Sequence, residues 1–132
     1  MAVHAGNAFR PPVIFHITRK LDWDAATGIG SYAADSLHTE GFIHCSTNEQ
    51  VIATANRLFR NRHDLVLLCI ATDRIHAEIR HENLEGGGNL FPHIYGAIAL
   101  DAVIAVHDFV PRDDGYFDLP PTLELENCSR RE

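Results

Sequence analysis

Three histidines each stand two residues before a hydroxyl side chain, in segments whose composition predicts extended chain. The pairs are His16 with Thr18, His44 with Ser46, and His93 with Tyr95. Side chains two residues apart on a strand point to the same face, so each imidazole shares a face with its hydroxyl. Histidine exchanges protons near neutral pH, and a neighbouring hydroxyl can orient a polar substrate. If the three strands adjoin, the sequence predicts one polar cleft.

The second of these pairs lies in a segment that reads as a short strand running into a helix. Strand alternation places Phe42, His44 and Ser46 on one face, and Ile43 and Cys45 on the other. This separation argues against Cys45 as a nucleophile activated by His44, because the thiol and the imidazole point apart.

Ser46 also begins the sequence Ser-Thr-Asn-Glu at residues 46–49, which has the spacing of a capping box. We therefore expect a helix from Asn48 to about Arg60, with Ser46 and Thr47 at its N-terminus. Unpaired N–H groups and the positive end of the helix dipole favour a phosphate or carboxylate at such a position.

Length and composition limit the other possibilities. The chain has 132 residues, a formal net charge of -7 and scattered basic residues, which favours one domain and argues against general nucleic-acid binding. It has no apolar run long enough to span a bilayer and no secretory signal, so we expect a cytoplasmic protein without a membrane partner. The three cysteines form no paired framework. Oligomeric state is not predicted.

Hydrophobic patterning predicts the elements that position these residues. We expect strands at 13–18, 65–71, 77–82 and 103–110, and a helix at 21–27 capped by Thr18. Residues 31–40 read as mostly loop, with Tyr32 in a short strand and a turn at 35–37. Residues 86–88 are three glycines and predict a mobile turn. Residues 90–98 read as extended, and Pro92 predicts an edge strand or a bulge there.

A zinc site is one alternative use of three histidines, because three such ligands with an open position form a catalytic pattern. No histidine pair has the i, i+4 spacing of metalloprotease helices, and no carboxylate partner is evident from the spacing. No metal is therefore expected, although a His-ligated hydrolase remains an alternative.

Residues 13–119 resemble the small bacterial family catalogued as domain of unknown function 952. The matching segments are residues 14–17 (Ile-Phe-His-Ile), 36–37 (Ser-Leu), 40–46 (Glu-Gly-Phe-Ile-His-Cys-Ser), Glu82, and 91–96 (Phe-Pro-His-Ile-Tyr-Gly). The chain is also similar, more distantly, to the ADP-ribosyltransferase fold shared with RNA 2'-phosphotransferases. This resemblance implies an α+β domain with a split mixed or antiparallel β-sheet, flanking helices, and an NAD-like nucleotide between the two halves of the sheet.

The resemblance also implies roles for individual residues. His16 takes the position that contacts the ribose, and His44 with Ser46 takes the position near the base or phosphate. His93 with Tyr95 occupies the third position, where a histidine replaces the usual carboxylate, and Glu82 could supply that charge from an adjacent strand.

The resulting expectation is a single domain at 13–119 between an N-terminal arm (1–12) and a C-terminal tail (120–132). It binds NAD or a related ADP-ribosyl nucleotide through His16, Thr18, His44, Ser46, Thr47 and Tyr95. Transfer or hydrolysis at the glycosidic bond would use His44, His93 as general base, and Glu82. The alternative from another class is a catalytically inactive nucleotide- or protein-binding module, which the missing carboxylate favours.

Overall fold

The computed structural model describes residues 12–84 and 87–120. Its strands and helices are, in order, β1 (Val13–Arg19), α1 (Lys20–Ile29), β2 (Ser31–Tyr32), α2 (Asp35–Glu40), β3 (Ile43–His44), α3 (Val51–Leu58), β4 (Leu65–Ala71), β5 (Ile79–Glu82), β6 (Phe91–Ile94), β7 (Ile98–Ala99) and β8 (Val103–Phe109). The predicted arm, except residue 12, the predicted tail, except residue 120, and Gly86 of the predicted glycine turn lie outside the described residues.

The continuously apolar strand β4 forms the centre of the molecule. It pairs antiparallel with β1 on one side and β8 on the other, and all seven of its residues are buried. Alternate side chains enter two different hydrophobic clusters: Val66, Leu68 and Ile70 belong to one, and Leu65, Leu67 and Cys69 to the other. The prediction of a strand covered on both faces is confirmed.

A second three-stranded antiparallel sheet has the order β3-β6-β5 and contains His44, His93 and Glu82. Strands β2 and β7 form a separate antiparallel pair. A bridge between Phe15 and Ser46 joins the two larger sheets, because each residue donates its N–H to the other's carbonyl at 2.8 Å. The predicted α+β class is confirmed, with mostly antiparallel sheets and few helices. No helix within residues 12–84 and 87–120 is long and apolar enough to cross a bilayer.

Helix α1 confirms the helix predicted after β1, but its cap differs from the prediction. The residue before its first turn is Arg19, which makes no side-chain capping bond. The Thr18 hydroxyl instead lies 2.9 Å from the Tyr32 hydroxyl. Gly30 ends the helix with φ 104°, a left-handed conformation that glycine adopts without strain.

The short strand predicted at Tyr32 is confirmed as β2, but the loop and turn predicted after it are wrong, because Asp35–Glu40 forms helix α2. Six residues are too few to display a helical hydrophobic period, and none of the six is buried. The helix closes at Gly41, whose φ is 89° and whose N–H reaches the carbonyls of Ser36 and Leu37. Ser36 also donates its hydroxyl to the carbonyl of Phe42 at 2.7 Å, which fixes the entry into β3.

The predicted capping box at residues 46–49 is also wrong, and helix α3 begins at Val51 rather than Asn48. Both backbone polar groups of Ser46 bond to Phe15, so this residue is held in extended conformation. One half of such a box occurs one residue later, where Thr47 donates its N–H to the side-chain oxygen of Gln50 at 3.0 Å. The Thr-x-x-Gln spacing of residues 47–50 has the same capping logic.

Pro92 lies in β6, which is the central strand of its sheet, so the predicted edge position is wrong. The Pro92 carbonyl accepts the N–H of Cys45 at 3.0 Å. In an antiparallel ladder the N–H and carbonyl of one residue point to the same neighbour, so the N–H that proline lacks faces β3. Strand β3 ends at His44, next to this position. The proline at residue 92 therefore removes no hydrogen bond between β5 and β6.

Candidate functional site

A cavity of about 370 Å³ lies between β1, the residues that follow β3, and α3. Its apolar wall includes the aromatic rings of Phe15, Phe59 and Phe91. Five further lining residues have polar side chains and come from α2, from β3 with the residues after it, and from α3: Ser36, His44, Ser46, Thr54 and Arg57. The lining contains no carboxylate among the described residues, in a chain whose net charge is -7.

His16 also lines this cavity, but both of its ring nitrogens are already bonded. Nδ1 is 2.6 Å from the carbonyl oxygen of His44, and Nε2 is 2.8 Å from the hydroxyl of Tyr32. Burial lowers the pKa of His16 to about 4, so the ring is neutral at pH 7. A carbonyl only accepts, so Nδ1 carries the hydrogen and Nε2 accepts the Tyr32 O–H. His16 therefore ties β1 to β3 and β2.

His44 is the imidazole of the lining that remains partly open to solvent. Its side chain is 39 % exposed, and its Nε2 lies 2.9 Å from Oε1 of Glu40, the last residue of α2. Phe42 presents its ring edge-on to His44, with ring centroids 4.9 Å apart. As predicted from strand alternation, His44 and Ser46 reach the same cavity.

His93 lies directly across the sheet from His44, but it does not line the cavity. It is 1 % exposed, and the ring of Phe42 stacks on it at 4.3 Å with an interplanar angle of 21°. Its Nδ1 donates to Oε1 of Glu82 at 2.9 Å. The imidazole of His93 is therefore buried and has a structural contact with Glu82.

The Glu82 carboxylate accepts hydrogen bonds from two neighbouring side chains, His93 and Tyr95. The Tyr95 hydroxyl donates to the same oxygen that His93 contacts, at 2.6 Å. The hydrogen bonds from Tyr95 and His93 lower the pKa of Glu82, and the carboxylate raises the pKa of Tyr95. The Arg80 guanidinium lies 4.4 Å from the centre of the Tyr95 ring and 4.0 Å from the second oxygen of Glu82.

The structure thus divides the predicted site residues into two groups. His16, His44 and Ser46 line the cavity. Glu82, His93 and Tyr95 form a hydrogen-bonded cluster beside it, and ring centroids of His44 and His93 are 5.2 Å apart. Thr18 and Thr47 belong to neither group, because Thr18 bonds with Tyr32 and the backbone of Thr47 begins the turn before α3.

Sequence reasoning missed Glu40 and Arg57. Glu40 stands four residues before His44, a spacing that brings the two side chains within 2.9 Å because α2 ends in a tight turn at Gly41. That signal was present in the sequence but carries meaning only once residues 35–40 are known to be helical. Arg57 lies within the predicted helix, and nothing in the sequence indicates that it borders a cavity.

The other chemistries considered from the sequence gain no geometric support. Burial raises the pKa of the Cys45 thiol well above its ordinary range, which keeps it from acting as a thiolate nucleophile. Among residues 12–84 and 87–120, no group of three or more histidine, cysteine, aspartate and glutamate side chains is placed to hold a metal ion.

The chain belongs to the family described as a protein of unknown function (DUF952), whose model matches residues 17–106. Its fold is similar to that of protein CC0527 from Caulobacter crescentus. The crystal structure of CC0527 has 31% sequence identity and a TM-score of 0.76, and the match covers 85% of this chain and 98% of that one. The solution NMR structure of CC0527 gives 30% identity, a TM-score of 0.67, and coverage of 86% and 97%. No curated protein matches the chain.

Proposed function

We propose that the protein binds NAD or a related ADP-ribosyl nucleotide in the cavity between β1, the residues after β3, and α3. The observation that carries this proposal is the composition of the cavity lining. The lining combines aromatic residues, hydroxyl-bearing residues and Arg57, and it contains no aspartate or glutamate among the described residues.

Each part of such a nucleotide has a chemically matched partner in the lining. A planar base suits the apolar rings, because aromatic faces offer stacking and exclude water. The phosphates suit Arg57, whose guanidinium forms strong charge-assisted bonds with oxyanions. The ribose hydroxyls suit His44, Ser46 and Thr54. A volume of about 370 Å³ is at the lower end for ligand pockets, so it would enclose one half of a dinucleotide.

The arrangement of the sheets supports the ADP-ribosyltransferase-like architecture that the resemblance implies. Two three-stranded antiparallel sheets are joined at the Phe15–Ser46 bridge, and the cavity lies against that junction. In the proposed fold, these two sheets are the halves of a split sheet with the nucleotide between them.

Glycosidic-bond transfer or hydrolysis is a second candidate function, for which His44 is the proton-exchanging group on the cavity. Glu82 and His93 lie outside the lining and bond to each other. This separation favours binding over turnover, because the carboxylate expected to offset charge on a reacting sugar does not border the ligand. We therefore place nucleotide binding first, as in the catalytically inactive module considered from the sequence.

The test is a titration of the purified protein with NAD and with ADP-ribose, followed by calorimetry and by NMR of the histidine side chains. We expect the resonances of His44 to shift, and we expect Arg57→Met to weaken binding about tenfold, the loss typical of one charge-assisted hydrogen bond. Arg60→Met is the matched control, since Arg60 lies outside the lining.

No shift of any imidazole at millimolar NAD or ADP-ribose would contradict the proposal. Equal weakening by Arg57→Met and Arg60→Met would show a general charge effect instead of a phosphate contact. Release of nicotinamide, measured by chromatography after incubation with NAD, distinguishes an enzyme from a binding protein.

A further inference from the structure

Of the two histidines that line the cavity, only His44 has a carboxylate on its ring. Both nitrogens of His16 are bonded within the fold, whereas Nε2 of His44 lies 2.9 Å from Oε1 of Glu40. An ionised carboxylate has only acceptors, so this contact requires the hydrogen of His44 to be on Nε2.

Glu40 is positioned by the turn that connects α2 to β3. Glu40 is the last residue of α2, and Gly41 turns the backbone through a left-handed conformation, with φ 89°. The hydrogen bond from Ser36 to the Phe42 carbonyl closes this turn from the other side. The carboxylate is therefore presented to a residue four positions along the chain, across the junction between helix and strand.

We propose that Glu40 is the positioning residue of the cavity: it fixes the ring orientation of His44 and holds a hydrogen on its Nε2, and thereby sets how this imidazole meets the ligand. This inference rests on the proposed function for the identity of the ligand. Its geometric part concerns the ligand-free protein and can be tested separately.

Glu40→Lys gives the sharpest test, because an ammonium group only donates hydrogen bonds. We expect His44 to lose Nε2–H character in nitrogen-detected NMR spectra, and its contact with Phe42 to weaken. Simple electrostatics predicts that an added positive charge tightens binding of an anionic nucleotide. Loss of the positioning contact predicts the opposite, a roughly tenfold weaker affinity for NAD.

Two companion variants separate these effects. Glu49→Lys makes the same charge change at an exposed residue outside the lining, and it should leave the His44 tautomer unchanged without weakening NAD binding. Glu40→Gln removes the charge but keeps an acceptor oxygen, so it should retain the Nε2–H tautomer. Thermal melting of each variant verifies that the fold is intact.

Unchanged tautomer and ring contacts of His44 in Glu40→Lys would overturn the inference. A changed tautomer with undiminished NAD affinity would also overturn it, since the positioning would then have no consequence for the ligand. If the wild-type protein binds neither NAD nor ADP-ribose, the proposed function fails, and the positioning role is decided by the His44 spectra alone.

Discussion

His44 and His93 lie directly opposite each other on the antiparallel strands β3 and β6, with ring centroids 5.2 Å apart. Each imidazole is bonded to its own glutamate at 2.9 Å, His44 to Glu40 and His93 to Glu82. The two pairs differ in access, because His44 borders the cavity and His93 is buried beneath Phe42. The outer pair can therefore meet a ligand, while the inner pair supports the sheet on which the outer pair stands.

The first prediction concerns acid stability through His16. Unfolded His16 binds a proton below about pH 6.5, whereas the folded residue does so only near its pKa of about 4. Since the unfolded state binds more protons in this window, the free energy of unfolding falls as the pH drops from 6.5 to 4. The titration of His16 alone should lower the free energy of unfolding by about 3 kcal/mol over this range. Urea denaturation across this range measures it.

His16→Gln provides the comparison, because glutamine does not titrate. The variant should have a flatter dependence of stability on pH between 6.5 and 4, even if its stability at pH 7 is lower. NMR titration gives an independent reading of the wild type. A midpoint near 6.5 for the folded His16 ring would contradict the prediction.

The second prediction concerns the phenol of Tyr95. Its hydroxyl donates to Glu82, and this bond to a carboxylate raises the pKa of Tyr95. Glu82→Gln removes the negative charge, so the pKa of Tyr95 should fall toward its ordinary value. Carbon-detected NMR of the tyrosine rings at increasing pH measures the change.

Glu78→Gln is the control for Tyr95, because the Glu78 carboxylate, one residue before β5, pairs with Arg80 and makes no hydrogen bond to the phenol among the described residues. A similar shift of Tyr95 in both variants would show that the general field of the acidic chain, and not the hydrogen bond from Tyr95 to Glu82, sets its pKa.

The third prediction concerns the close approach of Gly96 to Ala77. A Cβ added at Gly96 would lie 2.7 Å from the Cβ of Ala77, a distance that requires the backbone to shift. Gly96→Ala should lower the free energy of unfolding by about 1–3 kcal/mol, as overpacking does elsewhere. Chemical denaturation measures this loss, and the double variant Ala77→Gly with Gly96→Ala should recover most of it.

Gly28→Ala is the matched control for this substitution. Gly28 lies inside α1, and a Cβ there meets nothing within 4 Å. Alanine should therefore stabilise the protein by up to about 1 kcal/mol through helix propensity. If Gly96→Ala stabilises the protein as Gly28→Ala does, the prediction of a close contact between residues 96 and 77 is wrong.

Some elements could be predicted because their signal is local and long enough. The strand β4 follows from seven consecutive apolar residues, and β1 and α1 from their periods and the glycines that end the helix. Helix α2 has only six residues, none of them buried, so hydrophobic patterning could not reveal it. The edge position predicted for Pro92 is wrong because the sequence does not show where the neighbouring strand β3 ends.

The site was predictable as a set of residue types but not as a geometry. Strand alternation brings His44 and Ser46 to the same cavity, as expected. The opposition of His44 and His93 depends on the pairing of β3 with β6, two strands whose sequences carry no register signal. Glu40 depends on α2, so the error in that element concealed the carboxylate that contacts His44.

The alternation of β4 side chains between two hydrophobic clusters has a consequence for the opening motions of the molecule. A fluctuation that exposes one cluster still leaves every second β4 side chain held in the other, while β1 and β8 continue to occupy its backbone amides. The β4 amides can then exchange with deuterated water only when both clusters come apart together. Their exchange rates should report the global unfolding equilibrium, whereas the amides of α2, which has no buried residue, exchange through local fraying.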